Sequence, residues 1–203
     1  MVSFDSIDIF HDWIKDLRRK LPLPDVIRAV AERLVSVKGD DLRYLSHELV
    51  WLLREEERDI EAIDILEDML RCDPRDVRPA ITKANIYFVS LDQPIDALKA
   101  IDAALERANA TGLFRREALG TKARILVKLG RGDELSDVLE EIMSLQMIPG
   151  VPDIGRERDF VDSAPPGLIR KSVLDRYNEF RPRRPEDGSG DEPPPYEPAD
   201  DRM

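Results

Sequence analysis

The chain opens with Phe4, Ile7, Phe10, Trp13, Ile14 and Leu17, apolar residues that return every three or four positions. That interval puts side chains on one face of an α-helix, so a first amphipathic helix is expected here. Leu21-Pro22-Leu23-Pro24 ends it, and Pro24-Asp25 suits the first turn of a second helix carrying Ile27, Val30, Leu34 and Val35. Gly39 fits the stop of that helix, and Asp40 or Asp41 the cap of the next. A third helix follows through Leu45, Leu49, Leu52 and Leu53.

From Arg58 onward the pattern repeats. The helical stretch Arg58 to Pro74 recurs in weaker form at Pro94 to Ile101, and again at Gly130 to Leu139. Pro74 disfavours helical backbone at Asp73, which places a turn there. Between these stretches, Ile81, Ala84, Tyr87, Phe88 and Leu91 define one helix and Leu119, Ala123 and Leu126 another. The spacing therefore predicts three antiparallel helix pairs from Asp41 to Leu145, with no strand. A repeated helical unit cannot bury its apolar face alone and must stack on its neighbours.

After Gln146 the texture changes. Pro149-Gly150-Val151-Pro152 is expected to be a loop, and Pro165-Pro166 to open a last helix through Ile169, Val173, Tyr177 and Phe180. That helix is the candidate cap over the last pair's apolar face. From Arg181 the chain is rich in Pro, Asp and Glu with little to bury, which predicts disorder. The expected organisation is N-terminal helices over 1–40, repeats over 41–146, loop and capping helix over 147–181, and an acidic Pro-rich tail over 182–203.

The repeats resemble the tetratricopeptide repeat family, in degenerate form, over roughly Asp41 to Leu145. Ala62, Leu66, Met69 and Pro74 match the second helix of one unit, with Leu49 and Leu53 on its first helix. Ala97, Ile101 and Ala104 match the next unit, with Ala84 and Phe88 ahead; Gly130, Leu135, Leu139 and Ile142 match a third, with Ala123 and Leu126 ahead. The family's period is 34 residues, whereas Ala62 to Ala97 is a longer step and Ala97 to Leu135 longer still. Asn109 to Gly112 is expected to absorb the excess. Lys122 and Val50 also depart from the family's Leu and small residue.

The resemblance implies an all-α antiparallel helix-pair solenoid of about three repeats, with extra N-terminal helices and a C-terminal capping helix. It also implies a partner groove lined mainly by the first helix of each pair. Carried over position by position, that groove holds Tyr44, His47, Trp51 and Arg54, then Thr82, Lys83, Ile86 and Val89, then Glu117, Thr121, Arg124 and Lys128. Aromatic residues and arginine dominate binding energy at interfaces, which makes these positions the candidate partner-binding set. The family's carboxylate clamp of Lys and Asn is not present as such, since His47 and Trp51 hold two of its places. Arg115, Arg116, Arg124 and Lys128 form a possible alternative basic grip.

Composition narrows the function. A net charge of −11 argues against nucleic-acid binding, which needs a basic surface. One cysteine excludes an intramolecular disulfide, and with two histidines it is too little for a zinc site built on these residues. Cys72 reads as a helix-end packing residue. The N-terminus lacks a secretory pattern and no apolar run reaches membrane-spanning length, so a cytoplasmic protein is the default expectation. No phosphate loop or nucleophile elbow is present, and Asp187-Gly188-Ser189-Gly190 lacks strand–turn–helix context.

The expected function is a non-enzymatic adaptor for a peptide or protein, without cofactor or metal. An acidic export-type chaperone and an accessory subunit of an enzyme complex are the alternatives. Pro193, Pro194, Pro195 and Tyr196 match the short proline-tyrosine ligand of WW domains. The acidic tail is also expected to compete weakly with the partner for the basic groups of the third pair.

Overall fold

A computed structural model describes residues 4–112, 114–146 and 161–180. Among the described residues every regular element is a helix. These are α1 (Phe4–Lys20), α2 (Leu23–Leu34), α3 (Gly39–Glu55), α4 (Asp59–Cys72), α5 (Arg78–Asn85), which runs on as a π-helical turn (Ile86–Ser90), α6 (Pro94–Thr111), α7 (Arg115–Leu129), α8 (Gly132–Gln146) and α9 (Lys171–Phe180). The loop expected at Pro149 to Pro152, the tail from Arg181 and the Pro193–Tyr196 motif lie outside the described residues.

Each helix packs on the next in sequence, from α1 to α8, and α9 closes on α8. Further contacts join α1 to α3 and α5 to α7. The six helices expected between Asp41 and Leu145 are all present, and α1–α2 form another hairpin ahead of them.

The turns inside the pairs share one geometry. Glu57, Asp92 and Gly130 each take a left-handed backbone, with φ of 57°, 51° and 67°. Left-handed backbone is uncommon outside glycine, so its return at equivalent turns is a structural repeat. The backbone N–H groups of Arg58 and Arg131 donate to the carbonyls of Leu53 and Leu126, at 2.9 and 3.0 Å. In the middle pair, Gln93 N–H instead reaches back to Tyr87, at 2.7 Å, because the helix before it is unwound to a π turn.

Burial repeats with the same spacing. Ala62, Ala97 and Leu135 are fully enclosed, and so are Leu66, Ile101 and Leu139 one helical turn later. The small side chains of Ala97, Ala104 and Ala108 on α6, and Ala118 and Ala123 on α7, belong to one apolar cluster spanning α5 to α9. A second cluster spans α1 to α4. Ile86 of the π turn belongs to this second cluster, and Tyr87 packs against both.

Several local expectations are corrected. Asp40 and Asp41 do not cap α3 but sit in its first turn, after Lys38 at the cap position. Carboxylates there oppose the positive end of the helix dipole without direct capping. The excess length before Gly112 is taken up by α6 itself, which continues to Thr111 and stops at Gly112 in left-handed backbone. The last helix starts at Lys171 rather than Pro165, because Leu168 N–H closes a turn on Pro165 and Gly167 has φ of 82°. Of the residues expected to face inward, Val173 and Tyr177 on this helix and Ile169 just ahead of it are buried.

Gly132 makes the docking of this last segment possible. A Cβ there would stand 2.0 Å from the carbonyl oxygen of Leu168. Next to it, Ser136 accepts the Arg170 N–H at 3.0 Å and donates to the Gly132 carbonyl at 2.9 Å.

Ala104 has no exposed surface and lies in the cluster shared by α5 to α9. Ala104→Trp should therefore cost ~1–3 kcal/mol or more through overpacking. Urea denaturation followed by circular dichroism measures this, and an unchanged midpoint would show that these helices do not approach closely.

Candidate functional site

The expected groove residues sit on α3, α5 with its π turn, and α7. Trp51 is 65% exposed and Val89 64% exposed, an unusual cost for large apolar side chains in water. The Arg54 guanidinium lies 5.5 Å from the centre of the Trp51 ring, and its Nε is 3.9 Å from an Asp59 carboxylate oxygen. Asp59, at the start of α4, is within ion-pair range of Arg54, and neither the Arg54 Nε nor that Asp59 oxygen makes a hydrogen bond among the described residues. The stacked Trp51–Arg54 pair presents a flat, pre-ordered aromatic surface.

Tyr44 and His47 are half-buried one helical turn apart on α3. The Tyr44 hydroxyl is 3.4 Å from His11 Nδ1 on α1, which joins the first helices of two successive hairpins. Burial pushes the Tyr44 phenol up to about 12, helped by the Glu48 carboxylate, so it remains a neutral hydrogen-bonding group. His47 Nε2 is buried with no hydrogen-bond partner among the described residues. Burial holds its pKa below the ordinary imidazole value, with Arg78 and Arg43 adding to the effect and Asp76 opposing it.

The basic members of the set are engaged within the fold. Lys83 pairs with Glu67 at 2.5 Å and lies over the Tyr87 ring, tying α5 to α4. Arg124 donates to Asn85 Oδ1 at 3.1 Å and to Thr121 Oγ1 at 3.2 Å, tying α7 to α5. Lys128 pairs with Asp92 and lies 5.6 Å from the centre of the Phe88 ring. Arg115 pairs with Glu141 on α8. The proposed basic grip is therefore not a free strip of cations: Arg115, Arg124 and Lys128 hold neighbouring elements together.

Two candidate residues lie in the interior. Ile86 is fully buried, packed with the α1–α4 cluster. The groove position carried over from the family placed it outward, but this stretch is covered by α4 on one side and α6 on the other. Thr121 is also buried and serves Arg124 as an acceptor. Neither presents a side chain for a partner. Cys72 is corrected in the opposite sense: it is exposed rather than packed.

Among the described residues, no group of three or more His, Cys, Asp or Glu side chains is arranged to hold a metal ion. No described helix is long and apolar enough to cross a membrane. Neither a protein-family model nor a curated protein sequence matches the chain.

The His47 environment sets a pH dependence. Its pKa in the folded chain is below the unfolded value of about 6.5, so the unfolded chain takes the proton first on acidification. Stability is then full above about pH 6.5 and falls as pH drops from there towards the folded pKa. The fall in melting temperature between about pH 7.5 and about pH 5 should be smaller in His47→Gln than in the natural chain. Equal falls in the two proteins would contradict this assignment.

Proposed function

We propose that this chain is a tetratricopeptide-like helical array and a non-catalytic protein-binding adaptor. Its partner surface lies on the first helices of its pairs. The recurring left-handed turn residues Glu57, Asp92 and Gly130 support the repeat reading. So does the burial at Ala62, Ala97 and Leu135. Sequential helix packing, in which every element leans on its chain neighbours, supports it further.

The observation that carries the functional reading is the exposed Trp51 with Arg54 stacked on it. An indole left in water and pre-ordered by an arginine is the residue pair that interfaces favour as an anchor. Val89, exposed on the π turn, adds a second apolar contact. Tyr44, His47, Lys83, Arg124 and Lys128 frame the surface. Because Lys83 and Lys128 are ion-paired within the fold and Arg124 is hydrogen-bonded to Asn85 and Thr121, the partner would gain its energy from apolar contact, with ion pairs exchanged at the rim. Binding should therefore depend weakly on salt.

The double variant Trp51→Ala/Val89→Asp changes only exposed side chains. It should keep the circular dichroism spectrum and melting temperature while losing most of the partner recovered by the natural chain in a pull-down quantified by mass spectrometry. Full recovery by the folded variant would refute this surface.

A further inference from the structure

A cavity of about 640 Å³ opens where the C-terminal ends of α2 and α4 flank the N-terminal half of α3. Its volume lies within the range of ligand-sized sites, roughly 300–1,000 Å³. α2 ends beside it. The helix stops at Leu34, the chain turns through Ser36, and Val35 is left 90% exposed at the mouth. Leu42, Leu49, Ile65 and Met69 form an apolar interior.

The mouth is acidic. The charged side chains lining the cavity are Asp40, Asp68, Asp73, Asp76 and Arg43. Arg43 donates to Asp40 at 3.0 Å, which cancels that pair. Asp68 and Asp76 pair with Arg71 and Arg78, neither of which lines the cavity. The Asp68–Arg71 pair is exposed, hence screened and weak, so it can be exchanged for a ligand's cation, whereas the Asp76 side chain is nearly covered and contributes its charge from below the surface. Asp73 accepts the backbone N–H of Arg75 at 3.0 Å and makes no ion pair among the described residues. Two helix C-termini, those of α2 and α4, add their partial negative charge at the same place.

We infer that this cavity docks a basic amphipathic segment of a protein partner. An apolar side chain of that segment enters between α2 and α4 onto Leu49 and Met69, and flanking Lys or Arg residues meet Asp68, Asp73 and Asp76. The net charge of −11 steers such a segment in and repels anionic amphiphiles. The site is separate from the Trp51–Val89 surface, since neither residue lines the cavity.

Cys72 makes the test direct. It is the single cysteine, it is exposed, and it lines the cavity, so its alkylation by N-ethylmaleimide reports occupancy. The probe is a Leu/Lys peptide of about 14 residues, four helical turns, with all leucines on one face. Its scrambled isomer and neutral indole are the comparison ligands. At two-thirds occupancy the amphipathic peptide should slow Cys72 alkylation about threefold by mass action, and the isomer should not. The double variant Asp68→Lys/Val35→Arg alters exposed positions only. It should weaken the peptide by about tenfold or more in fluorescence anisotropy, through like-charge repulsion, with an unchanged circular dichroism spectrum. Any of four results overturns the inference: protection by the scrambled isomer to the same degree, protection unchanged in the double variant, protection by indole alone, or no protection by any ligand.

Discussion

Each described helix leaves an apolar stripe that other helices, mostly its chain neighbours, cover, and the two apolar clusters that result meet at Ile86. The α1–α4 cluster and the α5–α9 cluster are built from different elements, yet Ile86 sits on α5's own continuation and is buried with the first cluster. Tyr87 touches both. Ala84 and Ile86 are two positions apart, about 200° around a helix, so one faces the α5–α9 cluster and the other the α1–α4 cluster, and the helix unwinds to a π turn from Ile86 onward. Such turns cost hydrogen-bond geometry and persist where packing compensates. The two halves are coupled through a few large side chains rather than a broad shared core.

Polar contacts reinforce the same seams. Lys83–Glu67 joins α5 to α4, Lys122–Asp102 at 2.7 Å joins α7 to α6, and Arg124 bridges to Asn85. Arg107 donates to the Pro74 carbonyl at 3.2 Å, fastening α6 to the turn before α5. The two ion pairs are modest alone, since their carboxylates are about half exposed. Their value is in fixing which face of each helix meets its neighbour, which leaves Trp51 and Val89 outside.

Much of the fold was legible because it rests on local rules. Apolar spacing located the helices, Pro74 fixed the turn at Asp73, and alanines at Ala62, Ala97 and Ala104 marked the close approaches. The site was legible only in part. Trp51 and Val89 are exposed at the positions inferred for them, but Ile86 is not, since its stretch of helix is covered from both sides by α4 and α6. The cations Arg124 and Lys128 could be placed on their helix, but the Asn85 and Asp92 that engage them come from elements far away in sequence. The cavity beside Cys72 was invisible for a related reason. It forms where the C-terminal ends of α2 and α4 flank the N-terminal half of α3, which only the packed arrangement reveals.

The most direct test of this account is hydrogen exchange, read by mass spectrometry on the full chain, for the natural protein and for Ile86→Ala. If Ile86 couples the two clusters, its truncation should accelerate exchange in α3 and α4 as well as in α5, and leave α7 and α8 close to their natural rates. Acceleration confined to Ile86–Ser90 would contradict the coupling, and with it the view that this one buried side chain holds the array together.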